Sequence, residues 1–135
     1  MTEGKGLLTG MKVLDMTRVL AGPYCGMMLA DMGAEVIKVE TPKTGDDARM
    51  NAPVVRGESA YFMNLNRNKM GITLNLKSPK GKEIFLELVK QSDVVLENYR
   101  PGVMEKLGLG YEDLRKVNPR IIYGAVSGFG HYGPY

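Results

Sequence analysis

Short apolar blocks alternate along the chain with stretches in which apolar residues recur at helical spacing, and that alternation predicts the elements. Residues 11–17 form a short apolar run between Gly10 and the Ala21-Gly22-Pro23 punctuation, as expected of a buried strand. A helix follows, with Gly22 as its cap, Pro23 in the first helical position, an apolar face of Met27, Met28, Leu29 and Met32, and Gly33 closing it. Residues 34–40 read as a second strand. From Thr41 to Glu58 the pattern dissolves into Pro, Gly, Asp and Arg, which predicts a long loop over a site. Order resumes around Tyr61-Phe62-Met63, and 72–76 alternate apolar and polar residues like a strand near a sheet edge. Ser78-Pro79 starts a helix whose Ile84, Phe85, Leu88 and Val89 recur at helical spacing up to Ser92. Residues 93–99 form another apolar strand, Arg100-Pro101-Gly102 turn into a short helix ending at Gly108, and a helix over 111–118 is stopped by Pro119. A last strand at 121–126 runs into Ser127-Gly128-Phe129-Gly130.

Strands alternating with helices predict an α/β fold, a Rossmann-like and mostly parallel sheet with helices on both faces. In such sheets ligands sit at the carboxyl ends of the strands. The segments of interest are therefore 17–24, 40–47, 75–77, 98–106 and 127–135.

Composition narrows the function classes. With 135 residues and 44% hydrophobic content there is apolar material for one core. The 18 Lys and Arg against 15 Asp and Glu are interspersed instead of massed, which argues against nucleic acid, while the surplus of cations suits an anionic small molecule as well as a polyanion, so that charge alone does not choose. Cys25 is the sole cysteine, so neither an intrachain disulfide nor a Cys-rich metal site is expected, and a reducing compartment is the natural reading. No apolar run approaches the roughly 18 residues that span a bilayer, and residues 1–5 lack the apolar core of a signal peptide. A soluble protein of the cytoplasm, or of a matrix-like compartment, is expected.

At Ala21-Gly22-Pro23-Tyr24 a helix start offers free N–H groups and glycine lets backbone approach a ligand, which suits a phosphate or a pantetheine amide; topology alone favours a plain strand-to-helix turn. Neither G-x-G-x-x-G nor a P-loop is present. Asn98, Tyr99 and Arg100 concentrate an amide, a phenol and a guanidinium at a strand end, with Lys106 one turn beyond, either as a phosphate grip or as a solvated helix entry. Asn66, Arg67, Asn68 and Lys69, with Lys77, form a second polar cluster whose members individually read as surface. Asp15 reads as bonding the turn after its strand, Asp31 as facing solvent, Cys25 as a small core residue and His131 as part of a Gly-rich exit loop. No carboxylate among them stands out as a nucleophile.

Taken in order, Val13-Leu14-Asp15 before Ala21-Gly22-Pro23, the stretch 33–40, Asn66-Arg67-Asn68-Lys69, Leu74-Asn75-Leu76-Lys77, Glu97-Asn98-Tyr99-Arg100-Pro101-Gly102 and Ser127-Gly128-Phe129-Gly130 resemble the family III CoA-transferases, also called the CaiB–BaiF family, from about Leu8 to Tyr135. The resemblance implies that CoA or acyl-CoA, a substrate and not a tightly bound cofactor, is gripped by the turn at Leu20 and Ala21, by Leu74, Asn75 and Lys77, by Asn98, Tyr99 and Arg100, and by Lys106. Some members carry an arginine where this chain has Thr41, and Lys43 or Arg49 would take its place. In the family an aspartate attacks the thioester, and it is expected beyond Tyr135, so that no catalytic residue falls within 1–135. Residues 1–135 would then be the amino-terminal part of a large CoA-binding domain, with a second domain and a returning segment in the parent, a homodimer acting on an acyl-CoA and a small carboxylic acid. The α-methylacyl-CoA racemase branch shares this half, including the segment 102–107; the stretch 41–64 and the Asn-Arg-Asn-Lys spelling favour a transferase. A non-catalytic CoA-binding or assembly module is the alternative from another class. No metal is implied.

Overall fold

Successive side chains of a strand point to opposite faces, and along β1 (Lys12–Asp15) Val13 and Leu14 accordingly enter two different apolar clusters. In the computed structural model, which describes residues 6–134, β1 is followed by α1 (Ala21–Asp31) and β2 (Glu35–Glu40). A 3-10 turn at Asp47–Met50, a small hairpin of β3 (Val54–Val55) and β4 (Glu58–Ser59), and α2 (Ala60–Leu65) lead to β5 (Lys69–Thr73). Then come α3 (Pro79–Lys90), β6 (Val94–Glu97), α4 (Val103–Lys106), α5 (Tyr111–Val117) and β7 (Ile122–Ala125). The opening at 1–5, read above for the absence of a signal peptide, and Tyr135 lie outside the described residues.

Five strands form one wholly parallel sheet in the order β5-β2-β1-β6-β7. Numbered along the sheet-forming strands this is 3-2-1-4-5, a Rossmann-like order whose direction of growth reverses at β1. Helix α1 covers one face, with Ala30 against Val13, Val36, Val94 and Leu96; Cys25 and Leu29 pack on the same cluster. Helices α3, α4 and α5 cover the other, where Phe85, Val89, Met104 and Leu114 meet Leu14, Val39 and Val95. Helices therefore lie on both faces, as the alternation predicts. Among the described residues no helix is long and apolar enough to cross a membrane.

Three expectations need correction. Helix α1 starts at Ala21 with Leu20 as its N-cap residue, because the Tyr24 N–H donates to the Leu20 carbonyl at 2.8 Å; Gly22 and Pro23 lie inside the first turn, where backbone N–H groups have no intrahelical acceptor and proline loses nothing. Gly22 is there for space, since a Cβ would come within 2.4 Å of the Thr17 side chain. The stretch 41–58 is not a bare loop: Asp46 caps the 3-10 turn by accepting from the Ala48 N–H, and Ser59 caps α2 by accepting from the Phe62 N–H. Strand β5 starts three residues before the predicted run and ends at Thr73, paired Val36 with Lys69 through Glu40 with Thr73. It does occupy a sheet edge, but 74–77 form the turn that leaves it. Helix α3 agrees with its prediction, with Pro79 in its first turn and Ser78 Oγ accepting from the Gly81 N–H at 3.0 Å.

Candidate functional site at the carboxyl ends of the strands

The turns that leave β1, β2, β5 and β6 meet over a cavity of about 440 Å³. Val39, Leu74, Leu76, Val103 and Leu107 make its apolar walls, and Arg18, Glu40, Thr41, Asn75, Lys77, Tyr99 and Lys106 supply its polar groups. Arg18 Nη2 donates to Thr41 Oγ1 at 2.8 Å, its guanidinium carbon lies 5.6 Å from the centre of the Tyr99 ring, and Nη1 is 3.7 Å from Asp47 Oδ2. Burial, opposed by Arg18, pushes the Tyr99 phenol above its usual range, so it stays a neutral hydroxyl. Asn75 closes its own turn: Oδ1 accepts the Lys77 N–H at 3.1 Å and the carbonyl accepts from Ser78 N–H and Oγ. That turn leaves Lys77 exposed at the rim, as is Lys106 on α4.

A second cavity of about 410 Å³ lies beside the first, between the start of α1 and the ends of β6 and β7, lined by Ala21, Asn98, Tyr99, Arg100, Ser127 and Gly128 among others. Tyr99 borders both. The residues singled out from sequence thus divide: Leu74, Asn75, Lys77, Tyr99 and Lys106 line the first cavity, while Ala21, Asn98, Tyr99 and Arg100 line the second. Leu20 is exposed and lines neither. The Asn98 amide is engaged in a clamp, accepting the Arg18 N–H and donating to the Arg18 carbonyl, each at 2.8 Å. It ties the turn after β1 to the turn after β6.

Neither Lys43 nor Arg49 lines either cavity. Arg49 forms a two-pronged pair with Glu40 at 2.7 and 2.8 Å and stacks 3.9 Å over the Phe62 ring, which occupies its guanidinium. The cation that meets Thr41 is Arg18, which sequence reasoning passes over although it is the first cation after β1 in the segment 17–24.

Beneath the cavities the polar groups are buried and paired. Asp15 bonds its turn as expected, with Oδ1 accepting from both the N–H and the hydroxyl of Thr17. Its Oδ2 meets Lys69 Nζ at 2.7 Å, and the same ammonium donates to the Pro23 carbonyl and Asn66 Oδ1 at 2.9 Å. Lys69 is therefore not a surface residue: its side chain is 1% exposed, because three acceptors converge there and Gly26 leaves the room. Burial lowers the Lys69 pKa and the Asp15 charge opposes that. Arg67 and Asn68, by contrast, stay outside and hold exposed Asp31 at 2.6 and 2.8 Å. Glu40 and Asp46 are both held below their ordinary pKa in spite of burial, Glu40 by Arg49 and the Asp46 N–H, Asp46 by Lys38 and the Ala48 and Val19 N–H groups. Glu97, 2% exposed, accepts from the Tyr99 N–H at 2.7 Å and the Tyr123 hydroxyl at 3.3 Å; burial raises its pKa. Among the described residues, every buried carboxylate at these strand ends is thus engaged. The first cavity is thus an apolar slot with Arg18, Lys77 and Lys106 in its lining, a setting that favours an anion, while the start of α1 borders the second.

The model of the family described as CoA-transferase family III matches residues 8–135. The succinyl-CoA:glutarate CoA-transferase of Mus musculus is 52% identical over 94% of this chain and 29% of its own length. The acetyl-CoA:oxalate CoA-transferase of Acetobacter aceti is 51% identical over 96% of the chain and 33% of its own length. A crystal structure of a CAIB/BAIF family protein from Brucella suis superposes with a TM-score of 0.91 at 45% identity, over 98% of this chain and 36% of that one. The chain spans about a third of the length of these relatives. With the family model matched along nearly all of it and the fold shared at that level of identity, the chain belongs to the family III CoA-transferases.

Proposed function

We propose that this chain is the CoA platform of an enzyme that transfers CoA between an acyl-CoA thioester and a small carboxylic acid. The observation that carries the reading is the first cavity, whose apolar walls suit adenine while Arg18, Lys77 and Lys106 stand at its rim for the phosphates. Pantetheine then runs past Tyr99 and Asn98 into the second cavity, between Arg100 and the turn at Leu20 and Ala21, which brings the thioester to the point where the sheet order reverses. The acids in the names of the two relatives, glutarate and oxalate, make a dicarboxylate the favoured acceptor class.

Asp15, Glu40, Asp46 and Glu97 at these strand ends are each engaged by other groups of the chain. The family resemblance, and not their engagement, makes the nucleophile an aspartate outside residues 1–135. Its carboxylate adds to the thioester carbonyl and expels CoA thiolate, leaving a mixed anhydride. The thiolate attacks the aspartyl carbonyl, giving an enzyme thioester and the free donor acid. The acceptor carboxylate then reverses the two steps, which divides a difficult exchange into tractable ones. This chain's part is to hold the thiolate close between steps, in a cytoplasmic homodimer.

Calorimetric titration of the chain with CoA tests the platform. Arg18→Ala, Arg100→Ala and Lys106→Ala should each weaken binding by roughly tenfold, the loss of one charge-assisted contact. Affinity unchanged in all three would overturn the assignment.

A further inference from the structure

Val19 sits in the left-handed backbone region at φ 66°, a conformation that a β-branched residue rarely adopts and that surrounding contacts must impose. The contacts are unusually complete. Lys38, 2% exposed on β2, donates to the Thr17 carbonyl at 2.8 Å and lies 2.9 Å from Asp46 Oδ2. Asp46, 1% exposed, uses its other oxygen to accept the Val19 N–H at 3.1 Å and the Ala48 N–H at 2.9 Å. Between these anchors lies Arg18, whose own N–H and carbonyl are held by Asn98. Three consecutive residues after β1 are therefore fastened by side chains from β2, from the turn before Asp47 and from the end of β6. Neither Lys38 nor Asp46 lines the first or the second cavity.

A core that needed only stability would place apolar residues at two such buried positions, since an ion pair taken out of water rarely improves on good apolar packing. What the pair does supply is direction. The ammonium and the carboxylate each grip one backbone group on either side of Arg18, and the turn they fix sends its guanidinium toward Thr41 and Tyr99 at the cavity. We infer that Lys38 and Asp46 are positioning residues for CoA recognition: they hold the turn at Val19 in its left-handed form so that Arg18 faces the cavity, without touching the ligand themselves. The inference rests on the reading of that cavity as the CoA site.

The experiment is titration of the chain with CoA, using Lys38→Met and Asp46→Asn, each alone and combined with Val19→Gly, alongside Arg18→Ala. Each single substitution should weaken CoA binding about tenfold, in keeping with the loss of one charge-assisted contact when Arg18 is misdirected. Adding Val19→Gly should recover much of that loss, because glycine takes the left-handed turn with little penalty. The two substitutions remove different halves of the pair, so one that fails to fold leaves the other as the test. Lowered thermal stability with undiminished affinity, or a loss of affinity that Val19→Gly does not repair, would overturn the positioning role. If Arg18→Ala binds CoA as the unsubstituted chain does, or the unsubstituted chain does not bind, it is the CoA reading of the cavity that falls. Weakening by Arg18→Ala alone removes only the role of the pair.

Discussion

Glu97 is a buried acid whose partners among the described residues are the Tyr99 N–H and the Tyr123 hydroxyl, with His131 Nε2 4.0 Å away. Because burial lifts its pKa above 4.5, the folded chain holds this proton more tightly than the unfolded one. Stability should therefore fall as pH rises from 4.5 through the folded pKa. Asp46 and Glu40 act on the other side: their pKa values are lowered from 3.8 and 4.5, so their contribution is present above those values and is lost as pH falls through the folded ones. Urea midpoints of Glu97→Gln measured from pH 4 to 7 should lack the decline above 4.5 seen in the unsubstituted chain; the same decline in both would mean that Glu97 does not titrate in that window. Nothing in the local sequence separates such buried groups from exposed ones. Asn66, Arg67, Asn68 and Lys69 are four polar residues in a row, yet Lys69 is drawn inward with half-buried Asn66 beside it while Arg67 and Asn68 stay exposed, because Asp15, 54 positions earlier, is its neighbour only after the sheet has formed.

The elements most legible in the sequence carry their signals within a few residues. Helix α3 is the example, with a hydroxyl cap, a proline in the first turn and a buried Phe85 and Val89 one turn apart. Ser78→Ala removes the acceptor of the Gly81 N–H and should cost about 1 kcal/mol, read as a lower denaturant midpoint at unchanged slope. Strand β5 is the contrary case. Its residues Met70, Gly71 and Thr73 are exposed, so the edge strand has little apolar alternation to display. Ile72 packs on the core near its end, and the visible rhythm continues from there through Leu74 and Leu76 into a turn. Those leucines are apolar because they wall a cavity and pack on the core, not because they lie in the sheet. Periodicity thus picks out residues that line the first cavity and assigns them the wrong element. The cap of α1 departs from its expected place for a related reason: glycine and proline mark a helix start only to within a turn, and the hydrogen bond to the Leu20 carbonyl decides it.

At the scale of the molecule, the parallel sheet gathers onto one end segments that lie far apart in the chain, and that much follows from alternating strands and helices. Which cations flank which hollow does not, since it depends on the relative placement of four turns. Arg18, Lys77 and Lys106 come from the turn after β1, the turn after β5 and from α4. Lys77 and Lys106 are exposed and the Arg18 side chain is one-third exposed, so their attraction for phosphates acts through water and is open to screening. The Debye length shortens from about 10 Å at 0.1 M salt to about 3 Å at 1 M, which removes all but contact-range attraction. CoA affinity should accordingly fall as salt is raised, whereas pantetheine, which has the thiol arm and no phosphates, should bind more weakly at every salt concentration and with little dependence on it. Lys106→Ala should flatten the salt dependence for CoA and leave pantetheine unaffected. Equal salt sensitivity for the two ligands would mean that the cations do not grip phosphates, and that the first cavity owes its basic rim to something other than the nucleotide end of CoA.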